Sequence, residues 1–469
     1  MDENEIGLST QSGKRLRTIV LLFLIAIAAI LRLSLSLVNR EANDNHYEVV
    51  KLILDGRSGL TMADCHECFH PKLFYYVCAA VVHSLGLVSE SSRIVTGQLL
   101  NSVAGLMTLG LVLLTLNASQ YSVKWRLWTF ALIALNPRLI AINGQLSNDS
   151  FAILFATAAI FFTLRLLRAP SLWLCVGTQL VLTCALMTKG TTWVVAIAML
   201  LIFFIRALVD ESKQQSRLFV CLYIVTVLNG LISIQLAGYD FEHYDVYANM
   251  GRGQPLHVWE KTNVGRPGVQ SIVDGYLTFR IVDLVRDPQI TNEKAIEQLH
   301  RTSVWTQLYA RANFAQFEQH PKSWLTTDPN VMVIARCSFV LGLLPLLFLL
   351  AGFARGSLRS LRAWRRWGVP GMPLQNDFAS LFCLLICLGY VAFIIKFTAD
   401  YRDFAAMKLI YMLPGVLPFA LALLEGMQTV IERLKRFKFA ERMVHCVLFC
   451  LVILHGVGIV ALVKHLAER

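Results

Sequence analysis

Charge is scarce in this chain. Only 16% of its 469 residues are Asp, Glu, Lys or Arg, against 56% hydrophobic residues, and the mean hydropathy is +0.56. An ordinary soluble domain carries nearer a quarter of charged residues, so that class is excluded. Low-complexity tracts, heptads and internal repeats are also missing, which leaves no coiled coil or repeat array to build on. The glycines around Gly251-Arg252-Gly253 and Arg266-Pro267-Gly268 follow neither a phosphate-loop nor a dinucleotide-binding spacing. No soluble nucleotide site is expected there. Eleven cysteines are present, but most stand singly in apolar stretches, as Cys175, Cys221 and Cys446 do. In such a setting cysteine is a small hydrophobe, and no disulfide framework follows.

What the chain has instead is long apolar runs. Stretches of the length needed to cross the hydrocarbon layer lie near 17–38, 94–116, 127–146, 149–167, 171–188, 190–207, 217–237, 331–353, 378–396, 407–425 and 443–463. The expectation is an all-α polytopic membrane protein with about 11 transmembrane helices. The first stretch is longer than a signal-peptide core and ends in Leu33-Ser34-Leu35-Ser36-Leu37 without a small-residue cleavage site, so it reads as a retained helix.

The net charge of +12 sits in short loops: Lys14-Arg15, Lys124 and Arg126, Arg165 and Arg168, Lys213 and Arg217, Arg355 to Arg366, and Lys435-Arg436. By the positive-inside rule these loops are cytoplasmic, and no nucleic acid is needed to account for the charge. The run from Arg355 to Arg366, with Trp364 and Trp367, reads as an interfacial loop touching anionic lipid. This topology puts residues 39–93 and 238–330 outside. Residues 73–88 are apolar, but a crossing there would invert every later basic loop, so they read as an outer-face juxtamembrane helix. The chain divides into an N-terminal transmembrane module, 1–237, with its outer loop 39–93; an extracytoplasmic segment, 238–330; and C-terminal helices, 331–469. A bacterial inner membrane and an endoplasmic reticulum both fit, with the short loops favouring the former.

The outer loop is polar and reactive. It holds Asp44-Asn45-His46-Tyr47-Glu48 and then Cys65-His66-Glu67-Cys68-Phe69-His70-Pro71-Lys72-Leu73-Phe74-Tyr75. Ionisable groups at a bilayer face are costly unless they work. Cys65 and Cys68 with two neighbouring histidines admit zinc, an oxidised pair or plain loop residues; zinc would lack its usual second ligand pair. Asn148 and Ser150 read as a helix cap. A helix is expected over 271–286, and Trp305, Tyr309 and Phe314 read as an interfacial aromatic belt or as sugar-stacking residues.

The order of Asp44 with His46-Tyr47, His70-Pro71-Lys72-Leu73-Phe74-Tyr75, Asn136-Pro137, Ser147-Asn148-Asp149, Thr188-Lys189-Gly190 and Tyr411-Met412-Leu413-Pro414-Gly415 resembles that of GT-C membrane glycosyltransferases. The resemblance is nearest to glycosyltransferase family 39, which includes protein O-mannosyltransferases and the aminoarabinose transferase of lipid A. Lys72 stands where that family has a second proline, and Pro71 still restricts the residue before it. The resemblance implies a polyprenyl-phosphate sugar donor on the outer leaflet and a lipid or protein acceptor outside the cytoplasm.

Such a transfer needs a base for the acceptor proton and cations for the departing phosphate. Asp44, just beyond the first helix, is the candidate base; its alternative role is to cap the helix that follows. Glu48, four residues on, shares its helix face. Lys72, Lys189, Arg402 and Lys408 lie at the outer face against the positive-inside expectation and are candidate phosphate contacts, with His46, His70 and Tyr75 as further substrate-binding candidates. Lys189 also reads as a snorkelling lysine, and Arg402 as a partner of Asp400 or Asp403. Inversion at the sugar carbon is expected, and neither metal nor cofactor is called for. A transporter is the main alternative, but charges gathered in outer loops and unlike halves argue against it. A non-catalytic lipid-linked-sugar binder is the other.

Overall fold

The computed structural model describes residues 3–40, 45–61, 63–210, 212–237, 271–288, 290, 301–315, 328–364, 375–400, 407–434 and 437–468. Among these there are helices and turns and no strands. The helices are α1 (Glu3–Val38), α2 (His46–Leu54), α3 (Leu73–Ser84), α4 (Glu90–Asn117), α5 (Val123–Ala134), α6 (Pro137–Asn143), α7 (Asp149–Arg168), α8 (Leu172–Leu186), α9 (Trp193–Val209) and α10 (Lys213–Ala237). After the outer segment's α11 (Ile272–Tyr276), α12 (Ile281–Arg286) and α13 (Val304–Asn313) come α14 (Pro329–Leu341), α15 (Leu343–Trp364), α16 (Gln375–Asp400), α17 (Val416–Leu434) and α18 (Lys438–Ala467).

Nine spans among the described residues are long and apolar enough to cross a membrane, with α14 and α15 counted as one. The other two expected spans differ from expectation. The 127–146 stretch is divided between α5 and α6 at Leu135-Asn136, and α8 has 15 residues, about 22 Å at an α-helical rise and short of the hydrocarbon thickness. The break before Pro137 leaves the carbonyl of Ala134 without a helical partner, and a side chain satisfies it. Arg32 of α1, wholly buried, donates to the carbonyls of Ala28 and Ala134 and to Asn143 Oδ1. Asn136 Nδ2 donates to the carbonyl of Ala312.

Helix α7 is the axis of the bundle: 83% of its apolar window is buried, and it packs on α4, α8, α16 and α17. Helices α15 and α17 meet through glycine. A Cβ on Gly426 would lie 1.7 Å from the carbonyl oxygen of Phe348, and one on Gly352 would lie 1.8 Å from that of Ala422. Small residues allow this backbone approach, which replaces the hydrophobic drive that lipid removes.

In the outer segment the expected helix over 271–286 is two short helices, α11 and α12, separated by Leu277–Arg280. The expected aromatic belt is packing instead. Tyr309 donates to the carbonyl of Phe339, Phe314 is 2% exposed beside Phe339, and Trp305 Nε1 donates to the carbonyl of Tyr276 at 2.7 Å. The polar atoms of Trp305 and Tyr309 are thus spent on tying α13 to α11 and to α14.

Candidate active site at the outer end of α7

The outer end of α7 is held by side chains reaching the turn before it. Asn39 Nδ2 donates to the carbonyl of Gly144, and Asn101 Nδ2 donates to those of Gln145 and Ser147. The turn is therefore fixed from α1 and α4, and with it the first residues of α7. Asn148 does not cap the helix as expected: it has helical φ and ψ and makes no side-chain cap bond. Its amide donates across to the carbonyl of Thr188 at 3.1 Å. That bond joins two outer turns, and buried amides are found where such partners exist.

The second turn carries Lys189. Its backbone is extended before the 3-10 turn Gly190–Thr192, and its ammonium lies 2.5 Å from Asp149 Oδ1. Both side chains are under 10% exposed. Lys189 therefore does not snorkel; it is one half of a buried ion pair. Asp149 stood in the Ser147-Asn148-Asp149 motif that carries the GT-C resemblance but was given no role of its own, and it is the functional candidate that sequence reasoning missed.

The outer loop closes over this pair. Asn45 takes φ 60°, the left-handed region that asparagine tolerates better than most side chains. The chain turns there, and His46 begins α2 with its side chain buried. Cys65 and Cys68 form a disulfide across the 3-10 turn His66–Phe69, so the zinc and free-loop alternatives give way to the oxidised pair. Glu67 lies inside this four-residue ring and is 8% exposed. His70, before Pro71, is extended at φ −68°, ψ 148°, as the proline requires. The backbone N–H of Leu73 donates to the carbonyl of Met187 at 3.1 Å, fastening this loop to the Lys189 turn.

These turns bring together His46, Glu67, His70, Tyr75, Asp149 and Lys189. Glu67 Oε2 lies 3.1 Å from His70 Nε2 and 3.9 Å from His46 Nδ1. His46 Nδ1 shares a 2.7 Å hydrogen bond with the Tyr75 hydroxyl. The two imidazoles stack with centroids 5.7 Å apart. Asp149 is within electrostatic reach of both histidines, and Lys189 of His70. Burial pushes His70 down to about 4, against the opposing pull of Glu67, so it is neutral near pH 7. Burial also holds the Tyr75 phenol well above its ordinary value.

The remaining candidates are placed differently. The Lys72 ammonium donates to the carbonyls of Cys68 and His70, stapling the disulfide turn, and burial lowers it to about 8. Glu48 is half-buried on α2. Lys408 is half-buried and starts the 3-10 turn Leu409–Tyr411, which packs near α6 and α13. Asp44 and Arg402 lie outside the described residues. No group of three or more His, Cys, Asp or Glu among the described residues is arranged to hold a metal ion.

The chain has the fold of GT-C membrane glycosyltransferases. It superposes on the oligosaccharyltransferase of Archaeoglobus fulgidus tethered with an acceptor peptide containing the NVT sequon, with a TM-score of 0.50 and 14% identity over 93% of this chain and 55% of that one. The chain thus spans about half the length of these archaeal proteins. Two further structures are similar to it. One is AglB of A. fulgidus in complex with an inhibitory peptide and a dolichol-phosphate (TM-score 0.44, 14% identity, 93% and 55% covered). The other is ArnT of Cupriavidus metallidurans bound to undecaprenyl phosphate (TM-score 0.36, 13% identity, 87% and 77% covered). Within the chain, residues 84–244 match the family Dolichyl-phosphate-mannose-protein mannosyltransferase. The superposition at a TM-score of 0.50 and the match over residues 84–244 bear out the GT-C resemblance read from the motifs. No curated protein sequence matches the chain.

Proposed function

We propose that the protein transfers a sugar from a polyprenyl-phosphate carrier to a hydroxyl-bearing acceptor on the extracytoplasmic side, with inversion. The observation that carries this reading is the buried Asp149–Lys189 pair beneath the His46–Glu67–His70 cluster at the outer end of α7. Fold alone does not assign chemistry, but this cluster puts acids, a cation and imidazoles at the depth of a lipid headgroup.

In this reaction the acceptor oxygen attacks the anomeric carbon as the bond from that carbon to the phosphate oxygen breaks. The acceptor proton passes to Asp44, and the electron pair leaves with the polyprenyl phosphate. Asp44 immediately precedes the Asn45 turn that delivers His46 to the cluster, which supports a carboxylate close to it. Lys189, together with Arg402 and Lys408, is the cationic set for the phosphate. Asp149 holds the Lys189 ammonium aimed before the donor arrives. His46 and neutral His70, oriented by Tyr75 and Glu67, are hydrogen-bond partners for sugar hydroxyls.

The test is turnover of a panel of radiolabelled polyprenyl-phosphate sugars by the purified protein and by Asp44→Asn. Consumption of one donor, abolished in the variant while carrier binding persists, is the expected result. Carrier binding without turnover in the parent would identify a non-catalytic relative, and equal rates in parent and variant would remove Asp44 as the base.

A further inference from the structure

The inner end of the same axial helix opens into a second site. A cavity of 840 Å³ lies between the cytoplasmic ends of α4, α7, α15, α16 and α17. Arg165 begins this end of α7, about 24 Å along the helix from Asp149 at the α-helical rise, so the cavity is separate from the outer cluster. Its walls combine apolar side chains such as Leu164, Phe353 and Leu421 with four arginines, Arg165, Arg168, Arg355 and Arg359, and three carboxylates, Asp377, Glu425 and Glu432.

The arginines are not equivalent. Arg359 is hydrogen-bonded to Glu425, which also lies 3.5 Å from Arg355. That carboxylate satisfies one side of the cavity. Across from it, Arg165 lies over the Phe161 ring at 5.1 Å, and neither it nor Arg168 has a carboxylate partner among the described residues. Two guanidinium groups at the inner membrane surface, beside an open chamber whose walls are part polar and part apolar, are arranged for an anion with an apolar tail. Guanidinium forks match phosphate oxygens, and basic pockets between helices on the cytoplasmic side take anionic lipid headgroups.

We propose that this cavity binds the phosphate headgroup of an anionic phospholipid of the cytoplasmic leaflet, with Arg165 and Arg168 on the phosphate and the acyl chains along the apolar wall. Gly356 faces the open space, since a Cβ there would meet nothing within 4 Å. The site is thus blockable without a change of charge.

Native mass spectrometry of the full chain in detergent tests this, with dioleoylphosphatidylglycerol, dioleoylphosphatidylcholine and inorganic phosphate as probes. Phosphatidylglycerol is expected to form discrete adducts at concentrations where phosphatidylcholine does not. Arg165→Gln with Arg168→Gln is expected to weaken them about thirtyfold, from the usual contribution of two cations to anionic-lipid binding. Gly356→Phe is expected to weaken them by narrowing the chamber, and Glu425→Gln to tighten them by removing one of its lining anions. Equal binding of the two lipids, or undiminished binding by both the arginine and the glycine variants, would overturn the site. Displacement of the lipid by an equal concentration of inorganic phosphate would overturn the lipid assignment in favour of a free anion.

Discussion

Removing one member of the Asp149–Lys189 pair is the sharpest perturbation the structure offers. The charges are 2.5 Å apart and their side chains are 7% and 9% exposed. Lys189→Met keeps much of the volume and leaves the Asp149 carboxylate alone in a site that water barely reaches. Breaking a buried pair from one side typically costs about 3–5 kcal/mol, because the remaining charge has lost both water and partner. Replacing both partners with apolar groups of similar size is often neutral. Equilibrium unfolding in mixed detergent micelles should therefore show Lys189→Met and Asp149→Leu each destabilised by about 3 kcal/mol or more, and the double variant near the parent, a coupling that only contacting residues produce. Sugar transfer should be lost in all three. A rescued stability with an absent activity would separate the catalytic use of the pair from its packing. If Lys189→Met unfolds within about 0.5 kcal/mol of the parent, as exposed pairs do, the pair is hydrated and the reasoning fails.

Other outcomes follow from the same geometry. The Cys65–Cys68 ring spans so few residues that its loss should cost only about 2 kcal/mol by loop-closure entropy; Cys68→Ser is expected to keep the fold by size-exclusion elution while transfer drops, because Glu67 loses its frame. His70 is depressed to about 4 from its ordinary 6.5, so the unfolded chain binds the extra proton between those values. Its contribution to stability is full above pH 6.5 and is lost as the pH falls through 4. Thermal melts of the parent and His70→Gln across that window should converge at the acid end, and a constant difference would refute this. Gly426→Leu should separate α15 from α17, because the first added carbon already meets the Phe348 carbonyl at 1.7 Å; the expected loss is at least about 3 kcal/mol, read as a lower unfolding midpoint.

The reach of the sequence can be judged from single residues. Hydropathy located the spans, because twenty apolar residues mean the same thing in any fold. A window average is blind to the break at Asn136, which Pro137 marks in the sequence as a helix end or kink; what the sequence could not supply is Arg32, more than a hundred positions away, which answers the carbonyl of Ala134. The outer face was legible as reactive from His46, His70 and Lys189, which are expensive where they stand. Asp149 was hidden because a carboxylate at a helix start has a ready local explanation, and only the packing of two distant turns gives it Lys189. Lys72 illustrates the converse. An outer-face cation suggests a phosphate, yet its length lets it fold back on the carbonyls of its own turn. Tyr309 and Phe314 looked available for sugar because aromatic composition does not record which ring is covered.

The bond from the Leu73 N–H to the Met187 carbonyl joins the histidine loop to the lysine turn through main-chain atoms alone. Nearly any side chain at either position leaves it in place, and among the natural residues only proline at 73 would delete the donor. The distance between the two halves of the site is therefore insulated from the identities of the residues that carry it. Such a joint lets the loops drift in sequence, and with them the sugars or acceptors they recognise, while the charges beneath stay in register.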